Sequence, residues 1–438
     1  MDIANRYFYS VGYQQKSLEA LETALGTAPL YKDWRAFDPG SGTPLDQRYA
    51  ALPELTKKAM REHFPQGLVP NQRRVEDGLA RNEIEYTFTS GTTDEKVVNF
   101  WNQTWWYSSE AASWKLNAHT ARLDHPQKEA KLASALNVGI QCEEDLPMDH
   151  RILGRHLFLN EKISVLQWQP RHLERMAREL KIYQPVILEA NPSLLARLAW
   201  WALDNGQELY SPAAIIFTFE YPSQIHLAAI RRVFSSPLVS SYGTTETGFV
   251  LMQCEAGLFH QNTNFCRIDF EPLAARHGGP DLGRILVTTF NNPWTSIVKF
   301  DAGDLIRLHP TDKCACGRNE GLLVEAIEGR VANATFTTRD VLVTTMALDT
   351  QLAQIPEIRD YHLEQQSRTR YELQLVLTDS PANNRVEVLD RTRQALESLY
   401  GGDGEYILVP VSDLLPGPAG KYRRTQANFD FDQKGLFA

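Results

Sequence analysis

The stretch PVILEANPSLLARLAWWALDNG, residues 185–206, decides the fold. Residues 185–188 form a short apolar run with the length of a buried strand. Asn191-Pro192-Ser193 then opens a helix with Ser193 as its cap, and 194–204 carries the helix to its end near Gly206. Working outward, 214–219 reads as a strand, 223–234 as a helix and 238–242 as a strand. Strands alternating with helices predict a largely parallel sheet, whose ligands gather at the carboxyl ends of the strands. Glu220 and the run Tyr242-Gly243-Thr244-Thr245-Glu246 fall at two such ends.

On the N-terminal side, 83–89 alternates Ile84 and Phe88 with polar neighbours, and 96–101 returns as a second apolar run. The loop Thr89-Ser90-Gly91-Thr92-Thr93 therefore lies between two strands. A Walker-type loop would end in Gly-Lys-Ser/Thr and open a helix, and neither feature is present. On the C-terminal side, 359–365 and 370–377 pair as a hairpin, 385–400 has helical periodicity and 405–411 returns as a strand. The predicted architecture is α/β. A large domain with mixed or parallel sheets occupies 1–328, and a small mobile α/β cap occupies 329–438.

With 438 residues, the chain is longer than one hydrophobic core usually supports. Its 43% hydrophobic and 23% charged residues are those of a globular protein. A formal charge of −9 argues against nucleic acid or an anionic membrane as partner and favours a small molecule. The start MDIANRYFYSVGYQQ lacks a secretory pattern, and no apolar run approaches bilayer length. Five cysteines in such a chain point to a reducing compartment, so a cytoplasmic location is expected.

Four motifs suggest one chemistry. Joining a carboxylate to the α-phosphate of ATP brings two anions together, so the site needs placed cations and hydrogen-bond donors. Backbone amides and hydroxyls of Thr89, Ser90, Thr92 and Thr93, with Gly91 allowing close approach, suit phosphates. Glu246 suits Mg2+, a hard cation that prefers oxygen. Asp304, in Asp301-Ala302-Gly303-Asp304, suits the ribose hydroxyls as an acceptor. Lys421, in Gly417-Pro418-Ala419-Gly420-Lys421, sits where a turn can deliver a positive charge.

These motifs, with Leu52-Pro53, Thr56-Lys57, Pro192-Ser193, Phe219-Glu220, Cys314-Ala315-Cys316-Gly317-Arg318 and Gly329-Arg330, run along nearly the whole chain. Together they resemble the adenylate-forming superfamily of acyl-CoA synthetases, peptide-synthetase adenylation domains and luciferases, and in particular its phenylacetate-CoA ligase branch. The resemblance implies two half-reactions: acid and ATP give acyl-AMP and pyrophosphate, and the acyl group then passes to a thiol, usually of CoA, with rotation of the small domain in between. It also implies that Phe219, Glu220, Tyr242 and Gly243 lie near adenine and ribose, with Thr244 in the same nucleotide-binding run and Thr245 near the AMP phosphate. Arg330 is implied at the domain junction, and Lys421 in adenylation. The chain departs from the pattern at Asp94, Glu95 and Lys96 after the phosphate loop, at Ala332 in the hinge, and at Lys299-Phe300 before the ribose motif.

The expected function is ATP-dependent activation of a carboxylic acid, aromatic by resemblance, with transfer to CoA, a carrier-protein thiol or an amine. Secondary metabolism, for example activation of a phenazine-type acid in antibiotic biosynthesis, would accommodate the departures. The alternative is a catalytically weakened homologue that binds nucleotide or aryl acid without turnover. Trp101, Trp105, Trp106, Tyr107 and Trp114 supply either a flat pocket wall or core. Oligomeric state is left open, with a homodimer among the options. Separately, Cys254, His260, Cys314 and Cys316 have the chemistry of a structural zinc site, whereas Cys142 and Cys266 read as buried residues.

Overall fold

The computed structural model describes residues 6–88, 97–123, 127–133, 144–378, 385–416 and 422–438. The chain divides into two compact units. One comprises Met1–Arg122, Ser241–Leu273 and Pro280–Ala326, and the other Leu123–Ser240, Ala274–Gly279 and Ile327–Ala438. The boundary expected after residue 328 lies two residues beyond the Ala326/Ile327 division. The second unit takes 327–438 together with 123–240.

The first unit is built on antiparallel pairing. Strand Cys266–Pro272 pairs with Leu282–Thr289, which pairs in turn with Phe300–Leu308. Phe259–Gln261 lies between Leu323–Arg330 and Gly248–Gln253. The N-terminal hairpin pairs Glu85–Phe88 with Val98–Trp101 and leads into helix Gln103–Trp114, capped by the Asn102 side chain on Trp105 N–H. Trp105 is buried with its indole N–H on the Phe290 carbonyl at 2.8 Å, and Trp114 is 5% exposed. Both are core residues. Trp106 stacks edge-on against Phe249, with ring centres 5.1 Å apart.

The second unit contains the predicted parallel sheet. Leu238–Thr244 enters it through residues 238–240, and Ala214–Phe217, Ile187–Ala190, Glu129–Leu132 and His156–Phe158 follow in parallel. Helices Pro170–Tyr183, Pro192–Asp204 and Gln224–Val233 supply Met176, Leu180, Leu194, Leu198, Ala229 and Ile230 to its core. Each fully buried leucine there contributes about 1.5–3 kcal/mol relative to exposure. The helix after Ile187–Ala190 starts two residues earlier than the sequence suggested. Asn191 is its cap, accepting from the N–H groups of Ser193 and Leu194 at 2.9 and 3.1 Å. Pro192 takes the first helical position, where its missing N–H costs nothing. Ser193 is thereby released for another bond.

The same unit holds a second sheet, ordered Glu405–Val411, Arg370–Leu377, Ile358–Ser367 and Thr425–Ala427. The expected hairpin pairs antiparallel, and the strands on either side of it are parallel. Helices Thr345–Leu352 and Arg385–Tyr400 bury Leu348, Leu352, Val388 and Leu396 in the same core as Leu363 and Leu373. The architecture is mixed α/β, as the sequence predicts. No helix among the described residues is long and apolar enough to cross a membrane.

Candidate functional site

Leu238–Thr244 and Gly248–Gln253 form a hairpin whose turn is Thr245-Glu246-Thr247. Two glycines make the turn possible. A Cβ at Gly243 would lie 2.1 Å from the Gly248 carbonyl oxygen, and Gly248 has φ +68° against the Trp105 ring. The register shifts between Tyr242 and Gly243, a bulge that re-aims the strand end. Thr244 Oγ1 accepts the Thr247 N–H at 3.2 Å and closes the turn from inside.

Asp304 comes to this hairpin from Phe300–Leu308. The Tyr242 hydroxyl donates to Asp304 Oδ2 at 2.9 Å, joining two predicted motifs 62 residues apart. Within the same motif Asp301 has a different task. It accepts the Gly303 N–H at 2.8 Å and pairs with Arg284 at 2.7 Å, fixing the bend at Gly303, whose φ is +77°. Glu246 is 4% exposed in the turn, and among the described residues no ion pair reaches its carboxylate. A buried carboxylate of this kind suits a bound cation.

Thr89, Ser90, Gly91, Thr92 and Thr93, with Asp94, Glu95 and Lys96, lie outside the described residues. The strand that follows them is tied to the turn, because Asn99 Nδ2 donates to the Thr245 carbonyl at 3.1 Å. In the first unit, then, the strand after the predicted phosphate loop, the Tyr242–Glu246 run and Asp304 occupy one neighbourhood.

In the second unit, Phe219 follows strand Ala214–Phe217 with φ +74° and is 42% exposed. For a bulky side chain that backbone is strained, as residues at ligand sites often are. Glu220 N–H bonds the Thr218 carbonyl at 2.9 Å, and Glu220 Oε2 accepts the Tyr422 N–H at 3.4 Å. Glu220 Oε1 is buried with no hydrogen-bond partner among the described residues. Lys421 lies outside the described residues. Arg330 ends strand Leu323–Arg330, just after Gly329 at φ +107°.

Sequence reasoning missed the buried cluster around Arg424. Its guanidinium bonds Asp360 at 2.6 Å, the Ser193 hydroxyl at 3.2 Å and His226 Nδ1 at 3.2 Å, and lies over the Tyr361 ring. Burial raises the Asp360 carboxyl, but Arg424 and His226 outweigh it and hold the group well below the ordinary carboxylate range. This cluster and the Tyr422–Glu220 bond anchor the chain just beyond Lys421. Arg423-Arg424, one residue removed from the predicted catalytic Lys421, was the available sequence signal.

The four metal-type residues converge in the first unit, with their ligand atoms all within 4.8 Å of one another. Cys254 Sγ is 3.6 Å from Cys314 Sγ, and Cys316 Sγ is 3.2 Å from His260 Nε2. Burial pushes the Cys254 thiol up to about 12 and His260 down to about 4, which keeps the imidazole in its neutral, ligating form. At Cys316 burial also pushes upward, but the Arg318 N–H and the neighbouring thiols outweigh it and the group lies below its ordinary value. Cys266 is fully buried in the core, and Cys142 lies outside the described residues.

No protein-family model matches the chain. Among curated proteins, protein CapK of Staphylococcus aureus is 21% identical over 391 residues, covering 85% of this chain and 78% of CapK. Among solved structures, 2-hydroxyisobutyryl-CoA ligase in the postadenylation state with 2-HIB-AMP aligns with 97% of this chain and 91% of its own, with a TM-score of 0.71 and 14% identity. The anthranilate-CoA ligase AuaEII in complex with anthranoyl-AMP aligns with 78% of this chain and 66% of its own, with a TM-score of 0.53 and 12% identity. At these identities the likeness is one of fold. The chain has the fold of the adenylate-forming enzymes that its motifs resemble.

Proposed function

We propose that this protein is an acid-activating ligase that makes an acyl-adenylate from a carboxylic acid and ATP and passes the acyl group to CoA, a carrier thiol or an amine. The observation that carries the reading is the 2.9 Å bond between Tyr242 and Asp304. It joins two separately predicted nucleotide-binding motifs in the fold those motifs resemble. In this reading Asp304 holds the ribose, and Tyr242 and Gly243 line the nucleotide with Phe219 and Glu220. Thr89, Ser90, Gly91, Thr92 and Thr93 take the β- and γ-phosphates, with Thr244 and Thr245 beside the α-phosphate. Glu246 would hold Mg2+, which would supply positive charge against the phosphates, and Lys421 would meet the charge that develops as pyrophosphate leaves. Residues 329–438 act as the cap, with Arg330 at its junction. The acid is aromatic in this reading, for which the motif resemblance is the support, and a phenazine-type acid in a cytoplasmic biosynthetic route is a specific instance.

ATP–pyrophosphate exchange with Mg2+ and a panel of aromatic and short hydroxy acids tests the proposal. Exchange with at least one acid is expected, and Lys421→Ala should lower it about 100-fold or more, the scale of losing one transition-state charge contact. Asp304→Asn should raise the KM for ATP about tenfold, since a bond to a charged group contributes about 1.5–3 kcal/mol. Tight ATP binding with no exchange for any acid would replace the ligase by the non-catalytic binding homologue.

A further inference from the structure

Ligase chemistry leaves the convergence of Cys254, His260, Cys314 and Cys316 without a task. We propose that these four residues hold one Zn2+ in a closed structural site that staples the turn after Gly248–Gln253 to the connection following Phe300–Leu308.

Zn–S bonds of about 2.3 Å and Zn–N bonds of about 2.0–2.1 Å, arranged tetrahedrally, require ligand atoms about 3.4–3.8 Å apart. The observed 3.6 Å S···S and 3.2 Å S···N separations are close to that frame. None of the four described cysteines is in a disulfide. The backbone repeats one device on both sides. Gly257 N–H bonds the Cys254 carbonyl at 2.9 Å with φ +88°, and Gly317 N–H bonds the Cys314 carbonyl at 3.0 Å with φ +81°.

Three thiolates and Zn2+ leave one net negative charge. Arg318, two residues after Cys316, is a nearby cation that pairs with both oxygens of Glu255 at 3.0 and 3.1 Å. Four protein ligands leave no open position, so the ion is structural and takes no part in catalysis. Its placement has a consequence for the nucleotide motifs. Gly248–Gln253 begins at the Thr245–Thr247 turn and Phe300–Leu308 carries Asp304, so the staple ties the far ends of the strands that bear them.

Elemental analysis of the full-length chain, expressed with equal zinc, iron, cobalt and nickel and purified without added metal, tests this without reference to activity. About one zinc per chain is expected, as a four-ligand site binds one ion. A mercurial thiol reagent should release it to a colorimetric chelator, and the Tm should fall on release. Cys316→Ser and Cys254→Ser should each bring zinc below about half an equivalent, while His260→Cys, which keeps four ligands, should retain it. Should the serine variants fail to fold, mercurial release from the unaltered chain carries the test. Zinc below about half an equivalent in that chain, iron in its place, or a mass lower by two hydrogens from a Cys254–Cys314 disulfide would overturn the site. An unchanged Tm on release would overturn the stapling role.

Discussion

The cysteine–histidine knot of the first unit and the Arg424 cluster of the second solve the same problem with opposite chemistry. Each draws together polar groups from distant parts of the chain: Cys254 and Cys314 are 60 residues apart, Ser193 and Arg424 are 231 apart. The Arg424 cluster neutralises itself, since the guanidinium meets Asp360 and its remaining donors meet Ser193 and His226. The knot presents only acceptors and weak donors to its own centre, which the proposed Zn2+ would complete. On that proposal one is sensitive to truncation and acid, the other to chelation.

Three experiments would break or sharpen that contrast. The largest effect is expected for Arg424→Leu, which leaves Asp360 buried without its cation and should cost about 3–5 kcal/mol in denaturant unfolding. Zinc content of the folded variant should not change. Replacing Asp360 and Arg424 together by apolar residues should cost less than the sum of the single changes, and full additivity would refute the coupling. Next is pH. The folded Asp360 carboxyl is depressed, so its contribution is complete above the unfolded pKa of about 4 and is lost as pH falls towards the folded value. Melts at stepped pH should show this loss below about pH 4, and Asp360→Asn should flatten it. The smallest effect is expected at the rim of the knot. Glu255→Gln keeps an acceptor for the Ala118 N–H and weakens only a partly exposed ion pair, so about 0.2–1 kcal/mol is expected, with zinc retained.

The two regions also differ in how far the sequence announced them. Cysteine is rare, and Cys314-Ala315-Cys316-Gly317 carries a left-handed glycine beside its thiols, so chemistry and backbone need coincided in a short string. Arginine, aspartate, histidine and serine are common residues, and nothing near Asp360 or His226 marks them as partners of Arg424. The fold was legible because strands buried on both faces, as at 187–190 and 214–217, read as short apolar runs, while the 358–377 hairpin alternates with one face buried. The cap of the Pro192–Asp204 helix was misassigned between neighbours, since Asn191 and Ser193 are both good caps and only the placement of Pro192 at the first turn separates them. Tyr242 and Asp304 each stood out in the sequence as candidates for nucleotide binding, but their mutual bond did not, because it depends on the bulge at Gly243 and the bend at Gly303.

Gly243 limits any effort to diversify this protein. An added methyl group would meet main chain at 2.1 Å, where no rotamer change can relieve it, and Gly248 opposite is held by both its dihedral and the Trp105 ring. A saturation library across this hairpin should therefore return glycine alone at 243 and 248. Variation must be sought at neighbours whose side chains have room to change.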